Sequence, residues 1–214
     1  DDREMMSNPF WALTRVAPND VLERNWQDDE GNGLHIRVSP NEYGRPTVYD
    51  RRVLQYALTL LTDKLNRGEP VSRTIRFAAH DYIVSTGRLP GGTEYRLFQD
   101  SLKRLKGATI YTNLGAGSKV HEGGFGWIDS YMVHKQKQAN GKLAMTSVEI
   151  TLCDWAYNAI VVERRFLKLD REYFSLTSGL DMMVYTIISR HIGNKNSWNI
   201  SLDKLHVKTG SSSS

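Results

Sequence analysis

Between Thr74 and Lys106 the chain reads TIRFAAHDYIVSTGRLPGGTEYRLFQDSLKRLK, and this stretch restricts the fold more than any other. A short strand is expected over Thr74 to Phe77, then a helix from about Ala78 to Ser85 closed by Gly87, since glycine takes the positive φ of a helix C-cap. Arg88-Leu-Pro-Gly-Gly92 then enforces a turn, because Pro90 cannot continue a helix and the glycines permit tight backbone geometry. Beyond it Tyr95, Phe98, Leu102 and Leu105 recur every three or four residues as one apolar stripe, with Arg96, Gln99, Lys103 and Lys106 elsewhere on the cylinder. Helix, tight turn and amphipathic basic helix is the layout of a helix-turn-helix.

The flanking sequence extends this unit on both sides. Asp50 is placed to cap a helix over Arg51 to Asn66, whose Val53, Leu54, Ala57, Leu58, Leu61 and Leu65 form a wide apolar face that ends at Gly68 and Pro70. After the helix-turn-helix, β-branched and aromatic residues from Ala108 to Asn113 predict a strand, the glycine-rich Gly115 to Gly126 a loop, and Phe125 to Val133 a second strand, together a wing. A third strand over Met145 to Leu152 pairs with the second across Ala139-Asn-Gly141, since Asn-Gly is a strong hairpin signal. Upstream, Asn8-Pro-Phe-Trp11 looks like an aromatic anchor, Arg15 to Gly33 like a polar surface loop, and Leu34 to Val38 like a half-buried strand. The acidic Asp28-Asp-Glu30 splays its consecutive side chains, so a solvated loop is expected there and not a metal site.

Downstream of a short amphipathic segment, Cys153 to Val162, the same element order returns. Ser178-Gly-Leu-Asp181 resembles a capping box opening a helix with Leu180, Met183, Val184, Ile187, Ile188 and His191 on its inner face, closed by Gly193. A strand over Ser197 to Ile200 and a helix over Leu202 to Lys208, capped by Ser201, follow. The expected fold is therefore α+β: tandem winged-helix domains, with residues 1–165 forming the first after a leading extension. Residues 166–214 would begin a second, incomplete before its recognition helix.

A chain of 214 residues suits one large domain or two, and its 40% hydrophobic and 10% aromatic content excludes global disorder. A net charge of +4 and a pI near 9.1 suit nucleic acid without requiring it. The single cysteine, Cys153, excludes an internal disulfide and is expected to be a buried small hydrophobe in a reducing compartment. No apolar run approaches the ~20 residues of a membrane span, and the first residues lack signal-peptide order, so a cytoplasmic location is expected. The six histidines, at 35, 80, 121, 134, 191 and 206, show no metal-binding spacing, and no phosphate-binding GxxxxGK[ST] occurs. No catalytic residue, metal or cofactor is expected.

Asn8-Pro-Phe-Trp-Ala-Leu13, Tyr43-Gly-Arg-Pro-Thr-Val-Tyr-Asp50, Ser72-Arg-Thr-Ile-Arg-Phe77 and Ser85-Thr-Gly-Arg88 carry a family likeness in their order and spacing. Gly91-Gly-Thr-Glu-Tyr-Arg-Leu97, Leu102-Lys-Arg-Leu105, Leu152-Cys-Asp-Trp155, Leu169-Asp-Arg-Glu-Tyr-Phe-Ser-Leu176 and Leu205-His-Val-Lys-Thr-Gly210 continue it. With these motifs the chain resembles the plasmid replication initiator protein A family. The resemblance implies tandem winged-helix domains that bind repeated duplex DNA sites, or iterons, at a replication origin. It also implies partners: double-stranded origin DNA, a second copy of the chain in a monomer–dimer balance, and host replication proteins such as helicase and initiator, with no membrane. Past the Lys-Thr-Gly region the family continues into a basic helix and a further wing, expected to make much of the base-specific contact.

On this expectation Arg96 and Gln99 face base edges in the major groove, while Arg73, Arg88, Lys103, Arg104 and Lys106 surround them, the lysines and Arg73 on phosphates. Lys119, with His121, lies in the glycine-rich wing, and Arg164, Arg165, Lys168 and Arg171 gather where the two domains join. Two other functions fit the same residues: a winged-helix transcriptional regulator, and a winged-helix module for dimerisation or protein interaction.

Overall fold

The computed structural model describes residues 7–27, 31–114, 123–164, 169–193 and 195–211. It is a mixed α+β fold with two antiparallel sheets. The elements run β1 (Leu22–Gln27), β2 (Gly33–Ser39), α1 (Arg51–Asn66), β3 (Thr74–Ala78), α2 (Ala79–Ser85), α3 (Gly92–Gly107), β4 (Thr109–Thr112), β5 (Gly123–Phe125), β6 (Ile128–Lys137) and β7 (Leu143–Leu152). After these come α4 (Asp154–Val161), a 3-10 turn (Arg171–Ser175), α5 (Gly179–Ile192) and α6 (Leu202–Thr209).

The apolar stripes of α1 and α3 are buried as their spacing predicts, whereas α5 turns a partly different face inward: Leu180 and Ile188, expected inside, are exposed, and Met182, Met183, Thr186 and Ile187 are buried. Val53, Leu54, Ala57, Leu58 and Leu61 of α1 are buried, as are Phe98, Leu102 and Leu105 of α3. Ser178 Oγ accepts the Asp181 amide and Ser201 Oγ the Lys204 amide, so both expected caps form. Cys153 is buried, its thiol pushed up to about 12 by burial, and its sulfur accepts the Ala156 amide at the start of α4.

Strand pairing departs from expectation. The first sheet has the order β1-β2-β4-β5 and the second β3-β7-β6. What the sequence suggested as one strand, Phe125 to Val133, is two: β5 closes a hairpin with β4, and the chain then crosses to the other sheet as β6. Gly126 makes the crossing possible, because a Cβ there would lie 3.2 Å from the Lys106 carbonyl oxygen. The hairpin attached to β3 is therefore β6–β7, and the expected strand over Met145 to Leu152 is its second arm.

The segment taken for a polar loop contains β1, paired along its whole length with β2, Leu22 opposite Val38 and Gln27 opposite Gly33. Only Leu22 of β1 is fully buried; Arg24 and Trp26 are half-buried, the latter against the core, and the alternate side chains face solvent at a sheet edge. Ser197 to Ile200 forms no ladder; Trp198 instead stacks on the His191 ring, centroids 4.5 Å apart.

The N-terminal segment sits at the centre of the molecule. Trp11 stacks on Trp127 at 4.6 Å, Phe10 meets the same ring edge-on at 5.3 Å, and Phe125 stacks on Trp155 at 5.4 Å. Ala12 exchanges backbone hydrogen bonds with Pro46 and Val48. The later helices close on this segment: a Cβ on Gly179 would lie 1.9 Å from the Leu13 carbonyl oxygen, and one on Gly210 would lie 2.8 Å from Pro9 Cβ. Tyr173 and Met182 belong to the same buried cluster as Phe10 and Leu54.

Candidate nucleic-acid interface

Helix α3 packs between α1, α2 and β6, and its two long faces differ in kind. The inner face carries Phe98, Leu102 and Leu105 into the core, with Glu94, Ser101 and Arg104 along its margin. Arg104 donates from Nε (2.8 Å) and Nη2 (2.7 Å) to the two carboxylate oxygens of Asp50. The same carboxylate accepts Ser101 Oγ at 2.5 Å and the Thr47 amide at 2.8 Å. Asp50 occupies the N-cap position of α1, and its main-chain carbonyl accepts the Val53 amide, yet its carboxylate accepts no amide from that helix. The expected cap is replaced because a bidentate, charge-assisted pair with Arg104 outweighs a single amide bond.

Other expected DNA contacts also have protein partners. Arg73 Nη1 donates to Asp129 at 3.0 Å and to Asp154 at 2.5 Å. Arg88 donates to Glu94 at 2.7 Å, and the Lys103 ammonium to Asp100 at 3.1 Å. Lys103 also lies 4.5 Å above the Tyr43 ring, and its hydrogen bond to Asp100 raises its pKa.

The outer face is different. Arg96 and Lys106 are exposed and Gln99 is half-buried, and among the described residues none of the three makes a side-chain hydrogen bond or ion pair. At about 100° per residue, Arg96, Gln99, Lys103 and Lys106 fall on one side of α3. Alongside runs β6, whose Tyr131 approaches Lys103 and whose Lys135 and Lys137 are exposed. Lys142 is exposed beyond the tip of the β6–β7 hairpin, where Gln138 and Lys142 close the turn. These three lysines were not singled out from the sequence. The Asn-Gly turn beside them is the available signal, but glycine content points to Gly115 to Gly126 as the wing instead.

Arg164 is exposed and holds a positive φ of 53° at the end of α4. Lys119, His121, Arg165 and Lys168 lie outside the described residues, and Arg171 begins the 3-10 turn. Among the described residues no group of three or more His, Cys, Asp or Glu side chains is placed to hold a metal ion. No helix among them is long and apolar enough to cross a membrane.

A model of the family described as Replication initiator protein A matches residues 1–214. A protein of Wigglesworthia glossinidia brevipalpis described as a putative replication protein is 33% identical over 186 residues, which is 86% of this chain and 66% of that protein. The chain thus spans just under two thirds of that relative's length. Among solved structures, domains 2 and 3 of RctB superpose with a TM-score of 0.71 over 97% of this chain and 76% of that one, at 11% identity. A second structure of the same two RctB domains gives 0.62 over 89% and 70%. At such low identity the likeness is one of fold.

Proposed function

The chain belongs to the Replication initiator protein A family, and we propose that it is a non-enzymatic initiator that docks on repeated duplex sites at a plasmid origin and recruits host replication proteins. In this proposal α1, β3, α2, α3 and the β6–β7 hairpin form a winged helix, with α3 in the major groove and the hairpin as the wing. Residues 166–214 open a second winged helix of the same kind. The observation that carries the proposal is the division of charge on α3. On the inner side Arg104 is matched to Asp50, and Arg88 just before the helix to Glu94, whereas Arg96 and Lys106 face solvent, as do Lys135 and Lys137 of the hairpin. Cations that support the fold are paired within it; these are left for an outside polyanion.

Arg96 and Gln99 would reach base edges, and Lys106 and the hairpin lysines would neutralise phosphates, joined by Lys103 once it exchanges Asp100 for a phosphate. Each phosphate contact contributes about 0.9 to the slope of log K against log salt. The test is a gel shift of the full chain on duplexes carrying one to four direct repeats against a palindrome, over a salt series, for the wild type and an Arg96→Ala, Lys103→Ala double variant. Ladders stepping with repeat number, and a smaller slope in the variant, are expected. Wild-type affinity in the folded double variant would refute this placement of the interface. A palindrome-dependent single shift would instead identify a regulator.

A further inference from the structure

On the opposite side of α3 from Arg96 a pocket of about 230 Å³ opens between α1, α2, α3 and the N-terminal segment. Four arginines line it, Arg15, Arg52, Arg88 and Arg104, against two carboxylates, Asp50 and Glu94. Both carboxylates are already committed, Asp50 to Arg104 and Glu94 to Arg88. Two positive charges are left over, on Arg15 and Arg52.

Arg52 is the sharper anomaly. It is only 4% exposed, yet among the described residues no carboxylate meets it. Its Nη2 donates to the Leu176 carbonyl at 3.0 Å and to that of Phe174 at 3.4 Å, while among the described residues Nε has no hydrogen-bond partner. Burial, and then the neighbouring Arg88, push its pKa down. A buried guanidinium without a counter-charge is costly to hold unless an anion completes it. At the rim Arg15 donates to the Thr177 carbonyl at 3.1 Å and lies 4.8 Å above the Tyr49 ring.

We propose that this pocket binds the dianionic phosphate group of a small phosphomonoester. The two surplus charges match a dianion, and guanidinium forks match phosphate oxygens bidentately. The volume is below the ~300–1,000 Å³ of pockets that enclose drug-sized ligands, so the phosphate enters and the rest of the molecule stays outside. A duplex on the outer stripe of α3 is on the wrong side of the helix to supply the group, and its phosphodiesters carry one charge each. The walls come from the N-terminal segment, the helix-turn-helix and, through Arg52 and Arg15, the carbonyls of 174–177. Occupancy would therefore tie the DNA-facing helices to the C-terminal part of the chain.

The experiment is calorimetric titration of the full chain, free of DNA, with methyl phosphate and dimethyl phosphate at constant ionic strength, for the wild type, Arg52→Gln and Arg15→Gln. Expected are saturable binding of methyl phosphate, binding weaker by about tenfold or more for dimethyl phosphate, and loss in both variants. Binding should also strengthen as pH rises from 5.5 to 7.5, because the second phosphate ionisation lies near 6. Arg15 is on the rim, so its variant tests the site even where Arg52→Gln fails to fold. No saturable binding by the folded wild type, equal binding by Arg15→Gln, or equal affinity for the diester would each overturn the proposal.

Discussion

Replacing Asp50 with asparagine isolates the contribution of one carboxylate to this fold. The side chain of Asp50 is 2% exposed and that of Arg104 14%, and the carboxylate also receives Ser101 and the Thr47 amide. Asparagine keeps the shape, and its single carbonyl oxygen still accepts some of these donors. Arg104 loses the carboxylate it is hydrogen-bonded to in a largely dry site. Breaking a buried pair from one side costs about 3–5 kcal/mol, and the residual exposure of Arg104 places Asp50→Asn near the lower end, at about 3 kcal/mol. For a chain of this size each kcal/mol moves the melting midpoint by about 2–4 °C, so a fall of about 6–12 °C is expected. Thermal melts followed by tryptophan fluorescence measure the midpoint and urea denaturation the free energy, since Trp11 and Trp127 stack in the core. A double-mutant cycle with Arg104→Gln should give a coupling of about 1–3 kcal/mol. A single variant within about 0.5 kcal/mol of wild type, or strict additivity in the cycle, would refute the reasoning.

Two further outcomes are expected. His191 is held down to about 4 by burial and by Lys208, Arg190 and Lys195. Below an unfolded pKa near 6.5 the unfolded state therefore binds more protons than the folded one, and stability falls as pH drops from about 6.5 towards 4. Thermal melts of wild type and His191→Gln across that window should converge at low pH, and parallel curves would contradict the assignment. Gly179→Ala drives a methyl group into the Leu13 carbonyl and should cost about 1–3 kcal/mol in the same urea assay, with no effect if the first turn of α5 can shift away.

The parts of the fold legible in the sequence are those with a local signature. Periodic apolar residues give α1 and α3, serine caps give α5 and α6, and Asn140-Gly141 gives the β6–β7 turn. The missed elements lack one. β1 sits at a sheet edge with one buried side chain, so its LERNWQ has the polarity of a loop. The crossing at Gly126 depends on how close the Lys106 backbone comes, a contact between segments that periodicity does not encode. The candidate interface divides similarly. The basic stripe of α3 is visible in the heptad spacing, but which of its cations are spoken for depends on carboxylates far away in sequence. Asp50 lies 54 residues from Arg104 and Asp154 lies 81 from Arg73.

The placement of Phe10 and Trp11 has a consequence for how the molecule is made. Trp127, on which Trp11 stacks, lies 116 residues further along the chain, and Trp155, which Phe10 meets, lies further still. At about 5–20 residues per second Phe10 and Trp11 wait several seconds during synthesis for these partners. The helix-turn-helix can assemble in that interval from nearer neighbours, while the aromatic cluster closes only after α4 is made. A chaperone that shields short aromatic segments would meet this protein at Phe10 and Trp11, and a ribosome stalled before α4 would display them to it.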